Sequence, residues 1–328
     1  MMPLGLSIAS HSGLPPAAIG ELAATAEQGG FDSVMIAEGH GDALALCHPV
    51  AAATSRVTVG TAIANAALRP PVLAAKTAVQ LDHAAGGRFV LGLGTGNAIM
   101  NSRFGIAPFA PLRMIEEYVG VVRAVLTGNA YAGELFRTGI VPLDSPPVRT
   151  DLPIYLAALG PRMLALAGRI GDGVILNLMS PAQANEAATI VRAAAKDAGR
   201  DPVQITCVVH VCLSADADAA AAAARSVVPR YVLHPAVPAL FGPGTWLDEA
   251  RKLTLAGDRT GAAERVPQRV ADAFVAHGDA AAIAARIAEY RSAGIDLPVL
   301  FPMPVAGDWA YESVIDQLKG KGEANVAS

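Results

Sequence analysis

The chain has 328 residues, of which 52% are hydrophobic and 16% charged, with a formal net charge of −4 at pH 7. That composition can bury a large core and excludes a disordered chain. The acidic balance and an aromatic content of 5% argue against nucleic acid as the main partner, first by charge and then by weak base stacking.

Strand and helix signals alternate along the chain. Leu4–Ala9 reads as a first strand, and Pro15–Gln28 as a helix stopped by Gly29-Gly30. A second strand, Phe31–Ala37, leads to a helix over Asp42–Ala53. Val57–Ile63 is the third strand with its helix at Pro71–Ala85, and Arg88–Leu93 the fourth with its helix at Arg113–Leu126. Ile154–Leu159 is a fifth apolar run too short for a helix, broken by Gly160-Pro161. A helix to Ile170 follows, then a sixth strand ending at Asn177 and a helix over Pro181–Ala198. Val203–Leu213 is the seventh strand. The run Ala215–Ala224 is helix-forming. Leu297–Pro302 is the eighth strand, with a last helix over Trp309–Leu318.

Eight such units with apolar strands predict one α/β domain, a (β/α)8 TIM barrel spanning 1–328. An open, doubly wound sheet is the competing arrangement. Two segments stand outside the count. Tyr131–Pro147 reads as an inserted hairpin, and Val228–Arg269 as loops and short helices capping the mouth. Cys47, Cys207 and Cys212 make no Cys-x-x-Cys pair. His210 and Cys212 could share a strand face, but one pair is no metal site, so no metal is expected. The start lacks a secretory pattern and no apolar run reaches about 18 residues, so the chain reads as cytoplasmic, with no membrane span.

A barrel of this kind builds its site where the strands end. Those positions hold Glu38-Gly39-His40, Ala64-Asn65, Gly94-Thr95-Gly96-Asn97, Gly160-Pro161-Arg162 and Asn177. Pro161 suits the first position of a helix, whose free N–H groups would face an anion. Gly92-Leu93-Gly94-Thr95-Gly96-Asn97 is no dinucleotide fingerprint, because Asn97 stands where the last glycine would fall. Walker A, Gly-x-Ser-x-Gly and His-Glu-x-x-His patterns are absent from the sequence.

Taken in order, Gly60-Thr61-Ala62-Ile63-Ala64-Asn65, Gly92-Leu93-Gly94-Thr95-Gly96, Ala157-Ala158-Leu159-Gly160-Pro161 and Gly171-Asp172-Gly173 resemble the luciferase-like superfamily. The closest branch by these motifs is the deazaflavin (coenzyme F420) dependent oxidoreductases. The resemblance spans residues 4 to 200 and the last βα unit. It implies a hydride transfer between the deazaflavin and a small molecule with a C=C, C=O or C=N bond, in a homodimer. It also implies a cis peptide at Ala62–Ile63 behind the ring, with Asn65 near it. The cofactor's side chain and phosphate would lie at Thr95, Gly96, Asn97, Leu159, Gly160, Pro161, Arg162 and Met163, with Asn177 and Leu178 beside them.

Glu38 and His40 match an acidic residue and a histidine near the ring in relatives. Some relatives carry an acid where this chain has Asn97, which cannot ionise. The proton that accompanies the hydride therefore falls to His40, with Glu38 holding it and Asn65 and Asn97 as donors. An FMN-dependent luciferase-like monooxygenase is the alternative reading, and a cofactor-free binding protein a third.

Overall fold

The computed structural model describes residues 3–234, 238–242, 244–307 and 309–319. The ends of the expected domain, and residues 235–237 and 243 of the expected 228–269 insertion, lie outside the described residues. Eight strands close into a barrel: β1 (Gly5–Ala9), β2 (Ser33–Ala37), β3 (Thr58–Thr61), β4 (Phe89–Gly94), β5 (Ile154–Ala157), β6 (Gly173–Asn177), β7 (Gln204–Leu213) and β8 (Leu297–Pro302). Each pairs in parallel with the next, and β8 returns to β1 with Gly5 opposite Val299. Closure removes both sheet edges, so the open-sheet alternative falls.

The strands are apolar because both faces are covered. Leu6 and Ile8 of β1 are fully buried in the cluster that also holds Ile19 and Leu22 of the helix Pro16–Gln28. Met35 of β2 packs instead with Leu297 and Val299 of β8 inside the barrel. Cys207 of β7 belongs to the outer cluster and Cys212 to the inner one, as their odd separation requires.

The third strand carries the main irregularity. Gly60 pairs with Val90, and the short strand Ala64–Asn65 resumes pairing with Ala64 opposite Leu93, so four residues on this side span three of β4. That extra residue is a bulge. The Ala62–Ile63 bond within it is cis, as the resemblance implies. Thr61 fastens the gap: its hydroxyl donates to Gly92 O (2.7 Å) and accepts from Gly92 N–H (3.1 Å). Gly92 permits this approach, since any Cβ there would meet the Thr61 carbonyl.

Two segments stand apart from the eight barrel units. Tyr131–Ala132 and Arg137–Thr138 form a small antiparallel hairpin, held by Glu117, which accepts from the N–H groups of Glu134, Leu135 and Phe136. In the second insertion, the helices Pro238–Phe241, Thr245–Leu255 and Gln268–Phe274 bring Phe241, Trp246 and Phe274 together. These aromatics share a cluster with Ile175, Val208 and Phe301 of the barrel interior, so the insertion covers part of the mouth.

Three elements escape the sequence reading. The strand Val275–Gly278 pairs with the end of β7, where β6 has already stopped, and the helix Ala280–Ser292 follows it. A short helix, Ala98–Arg103, follows β4. The fifth strand also stops at Ala157, two residues earlier than expected, leaving Leu159 in the loop.

Glu27 sets where β3 begins. Burial alone would raise its pKa, but the N–H groups of Val57, Arg56 and Ser55 and the Ser55 hydroxyl bind its carboxylate and hold it at about 2. A lowered folded-state pKa stabilises the protein fully above the unfolded value near 4.5, and this is lost as pH falls toward 2. Glu27→Gln should therefore cost about 2 kcal/mol at pH 7 in urea denaturation. The deficit should shrink as the pH falls from 4.5 toward 2, and a constant deficit would contradict this assignment.

Candidate active site

At the carboxyl end of the barrel the inward positions of four successive strands are small: Ala37, Ala62, Gly94 and Ala157. Ala37, Ala62, Ile63 and Ala157 are half-buried above sealed strand interiors, so they border open space. A Cβ on Gly94 would sit 2.9 Å from Ile63 Cγ1 and 3.2 Å from Ala157 Cβ, which keeps this wall flat. The opposite wall is large and aromatic. His210 of β7 and Phe301 of β8 are 5.3 Å apart by ring centroids, and Trp309 stacks between Phe301 (6.3 Å) and Tyr311 (5.3 Å). A flat ligand has one smooth wall and one aromatic wall to lie between.

Glu38, just past β2, is clamped. Its side chain is 6% exposed, with Oε1 2.7 Å from Arg69 Nη2 and Oε2 3.1 Å from Arg69 Nη1. It also accepts from the Asn65 N–H immediately after the bulge. Arg69 reaches Asp42 as well (2.8 Å), and the carbonyl of Arg69 accepts from the Tyr118 hydroxyl. Burial disfavours the Arg69 cation, but Glu38 and Asp42 more than offset it and raise its pKa. Arg69 is thus a buried structural partner rather than a surface charge.

This corrects the expected role of Glu38. Both its oxygens serve Arg69 and the bulge, and among the described residues it makes no hydrogen bond to His40. His40 is exposed at the rim, its ring 5.6 Å from that of His11. The crowded setting of His11, then the charges of His40 and Arg230, lower the His11 pKa.

The two asparagines are also partly committed. Asn65 is buried, donates to Asn101 Oδ1 (2.7 Å) and accepts from Ala67 N–H. Asn97 caps the helix Ala98–Arg103 by accepting from Ile99 N–H at 2.8 Å, so its amide group alone is left to donate. Asn101, buried and unnoticed in the sequence, ties this loop together by donating to Thr95 O (2.8 Å). Gly96 has φ +68°, and a Cβ there would lie 2.7 Å from Asn101 Oδ1, so the Thr95–Asn97 turn requires glycine.

Gly160 caps the helix Pro161–Ile170, and an added Cβ would meet nothing within 4 Å. The Met163 and Leu164 N–H groups both return to Gly160 O (3.0 Å each), and Pro161 has none. The Arg162 N–H finds no acceptor among the described residues, and its exposed side chain makes no ion pair among them. Leu159 and Met163 pack half-buried beneath the turn.

Asn177 ends β6 with a buried Oδ1 that has no partner. Leu178 follows at φ +49°, buried, a left-handed conformation that a leucine rarely adopts. Thr95–Asn97, Gly160–Met163 and Asn177–Leu178 thus lie on loops at one end of the barrel, while His40 stands at its rim.

Two further groups face this mouth without having been singled out as site residues. His210 is fully buried, with Nε2 2.7 Å from the hydroxyl of Tyr231, a half-buried residue of the insertion. Burial, then the charge of Arg230, lowers the His210 pKa to about 3. A histidine in an apolar strand is the only signal the sequence offers for it. Among the described residues no group of three or more His, Cys, Asp or Glu side chains is placed to hold a metal ion.

A (β/α)8 barrel with an insertion over its mouth, a bulged third strand and open glycine turns defines a class of small-molecule enzymes. The chain belongs to the luciferase-like monooxygenase family, whose profile matches residues 2–297. It is 33% identical over 224 residues to the 5,10-methylenetetrahydromethanopterin reductase of Methanolobus tindarius, covering 67% of this chain and 68% of the relative. It is 32% identical over 329 residues to a Mycobacterium tuberculosis protein provisionally named a coenzyme F420-dependent oxidoreductase, covering 91% and 94%. The solved coenzyme F420-dependent tetrahydromethanopterin reductase of Methanopyrus kandleri superposes with a TM-score of 0.86 at 25% identity, covering 98% of each chain. With relatives of this kind, the chain is an oxidoreductase.

Removing one member of a buried ion pair leaves the other charge stranded, at a cost of about 3–5 kcal/mol. Arg69→Met should destabilise the protein by that order in chemical denaturation, and Glu38→Gln combined with it should recover part of the loss. Strictly additive losses would contradict the clamp.

Proposed function

We propose that the chain binds coenzyme F420 and transfers a hydride between it and a small organic substrate bearing a C=C, C=O or C=N bond. The observation that carries this is the open backbone at Gly160, set at the same end of the barrel as the flat wall of Ala62, Ile63, Gly94 and Ala157. The residues fit the cofactor on these grounds. The turn leaves room and a free N–H for a phosphate, and Asn177 offers a buried acceptor without a partner. When bound, the deazaflavin supplies the two-electron hydride chemistry, and the protein supplies position and electrostatics.

In this reading the ring lies against the Ala62–Ile63 backbone. Thr95, Gly96 and Asn97 flank its side chain, and Gly160, Pro161, Arg162 and Met163 hold its phosphate. Leu159, Asn177 and Leu178 close the space between them. Asn65 shapes the wall through Asn101. FMN is the alternative cofactor, since the family includes monooxygenases.

Absorbance titration should show the deazaflavin binding more tightly than FMN. Tighter binding of FMN would favour the monooxygenase reading. Gly160→Val should weaken deazaflavin binding by about tenfold or more, because the side chain fills the space the phosphate needs. Equal affinity in that variant would remove the phosphate from this turn.

The chain also forms a homodimer in this reading. Leu73 of the helix Pro71–Ala84, Leu135, Ile140 and Val148 are large apolar side chains left exposed (48–71%), and they are the surface assigned in this reading to a second copy. Light scattering should give twice the 33.5 kDa chain mass, and Leu73→Glu should shift it toward the single chain. A wild-type protein with the mass of one chain would contradict this.

A further inference from the structure

The aromatic wall of the mouth holds a polar group that the cofactor reading leaves unused. The Tyr231 hydroxyl lies 2.7 Å from His210 Nε2, and the two rings meet edge to face at 5.3 Å. His210 Nδ1 is buried with no partner. Two proton arrangements are open to this pair. If the tyrosine donates to Nε2, the neutral ring must carry its proton on Nδ1, as a buried N–H with no acceptor. If Nε2–H donates to the tyrosine, Nδ1 keeps only a bare lone pair. Orphaned buried N–H groups are rare, and a bare acceptor is the better tolerated of the two. The second arrangement is therefore favoured.

Asn177 lies near the same hydroxyl. Burial raises the Tyr231 pKa, and the Asn177 amide and the charge of Arg230 pull it back down. Only the Asn177 amide N–H can act in that direction, which agrees with its Oδ1 being the atom left without a partner. The tyrosine oxygen thus accepts from His210 Nε2–H, and its own proton is left free to donate. Arg230 makes no ion pair among the described residues, and its positive charge is felt at His11, His210, Cys212 and Tyr231.

We propose that Tyr231 donates the proton that accompanies the hydride, and that the substrate is a carbonyl compound. The proposal rests on the chain being a deazaflavin-dependent hydride-transfer enzyme. As a hydride arrives on the carbonyl carbon, the C=O π pair moves to oxygen. That oxygen forms an O–H bond with the Tyr231 proton while the phenolic O–H breaks. His210 Nε2–H stabilises the phenolate until water returns a proton. In sum, reduced deazaflavin and C=O give oxidised deazaflavin and CH–OH, and the proton that the oxidised ring releases to water makes good the one Tyr231 donates. A donor backed by the His210 N–H, with the positive charge of Arg230 nearby, favours an oxygen gaining negative charge. It disfavours a cationic C=N bond, and a bare C=C bond has no heteroatom for it to polarise before the hydride arrives.

Two measurements test this together. In the wild-type protein, 15N NMR of His210 should show the proton on Nε2 and a bare Nδ1; a proton on Nδ1 overturns the proposal. The holoenzyme with reduced F420 is then offered cyclohexanone and the cyclic imine 1-pyrroline. The wild type should reduce the ketone preferentially. Tyr231→Phe should lose about 100-fold in kcat with cyclohexanone while its deazaflavin affinity, read by titration, stays unchanged. Turnover of the ketone by Tyr231→Phe at the wild-type rate, preference for the imine, or failure to reduce either probe overturns the proposal. A wild type that binds no deazaflavin in the titration instead removes the reading beneath it, and the His210 tautomer still decides which way the tyrosine proton points.

Discussion

The mouth of this barrel is organised by the buried ion pair between Glu38 and Arg69. The third strand leaves its ladder at Thr61 and rejoins it at Ala64, so its backbone needs partners that the sheet no longer provides. Glu38 gives one of its oxygens to the Asn65 N–H at the point of return, and both to Arg69. Thr61 and Gly92 close the gap from below. The wall against which a flat ligand would lie is thus held from β2, from β4 and from the loop after the bulge. An acidic residue that looked free to serve a histidine is instead what fixes the wall.

That arrangement divides the mouth by side-chain volume. On β2 to β5 the last inward residues are alanine or glycine, whereas β7 and β8 turn His210 and Phe301 inward. The insertion adds Tyr231 on the bulky side, and the end of the chain adds Trp309. Polar backbone with few side chains lines the loops at Gly96 and Gly160, a surface suited to a cofactor's side chain and phosphate. The His210–Tyr231 pair and Arg230 lie across from it, the side on which we propose the substrate is approached. In the proposed reading, binding of a cofactor and chemistry on a substrate therefore draw on opposite halves of one opening.

Much of this was legible in the sequence. Apolar strands covered on both faces give short hydrophobic runs, and glycine or proline at their ends marks the turns, so the eight barrel strands stood out; the cis bond at Ala62–Ile63 followed only from the family resemblance. Val275–Gly278 did not, because four residues that include His277 and Gly278 carry no period. The helix Ala280–Ser292 was passed over for its dilute, alanine-rich pattern. At the site, glycine positions were readable because backbone geometry demands them. The partners of Glu38 and His210 were not, because Arg69 and Tyr231 lie 31 and 21 residues away along the chain and only the closed fold brings them together. Spacing along a chain reports what one element does, and ion pairs across loops are invisible to it.

The central claim is that this opening is built for a deazaflavin laid against the bulge. A crystal structure of the protein with oxidised coenzyme F420 bound would test it most directly. The account predicts the ring packed on the Ala62–Ile63 backbone, the phosphate within hydrogen-bonding distance of the Arg162 N–H, and the exposed ring face turned toward Tyr231. A ring stacked outside the barrel, or a phosphate held away from the Gly160 turn, would contradict it.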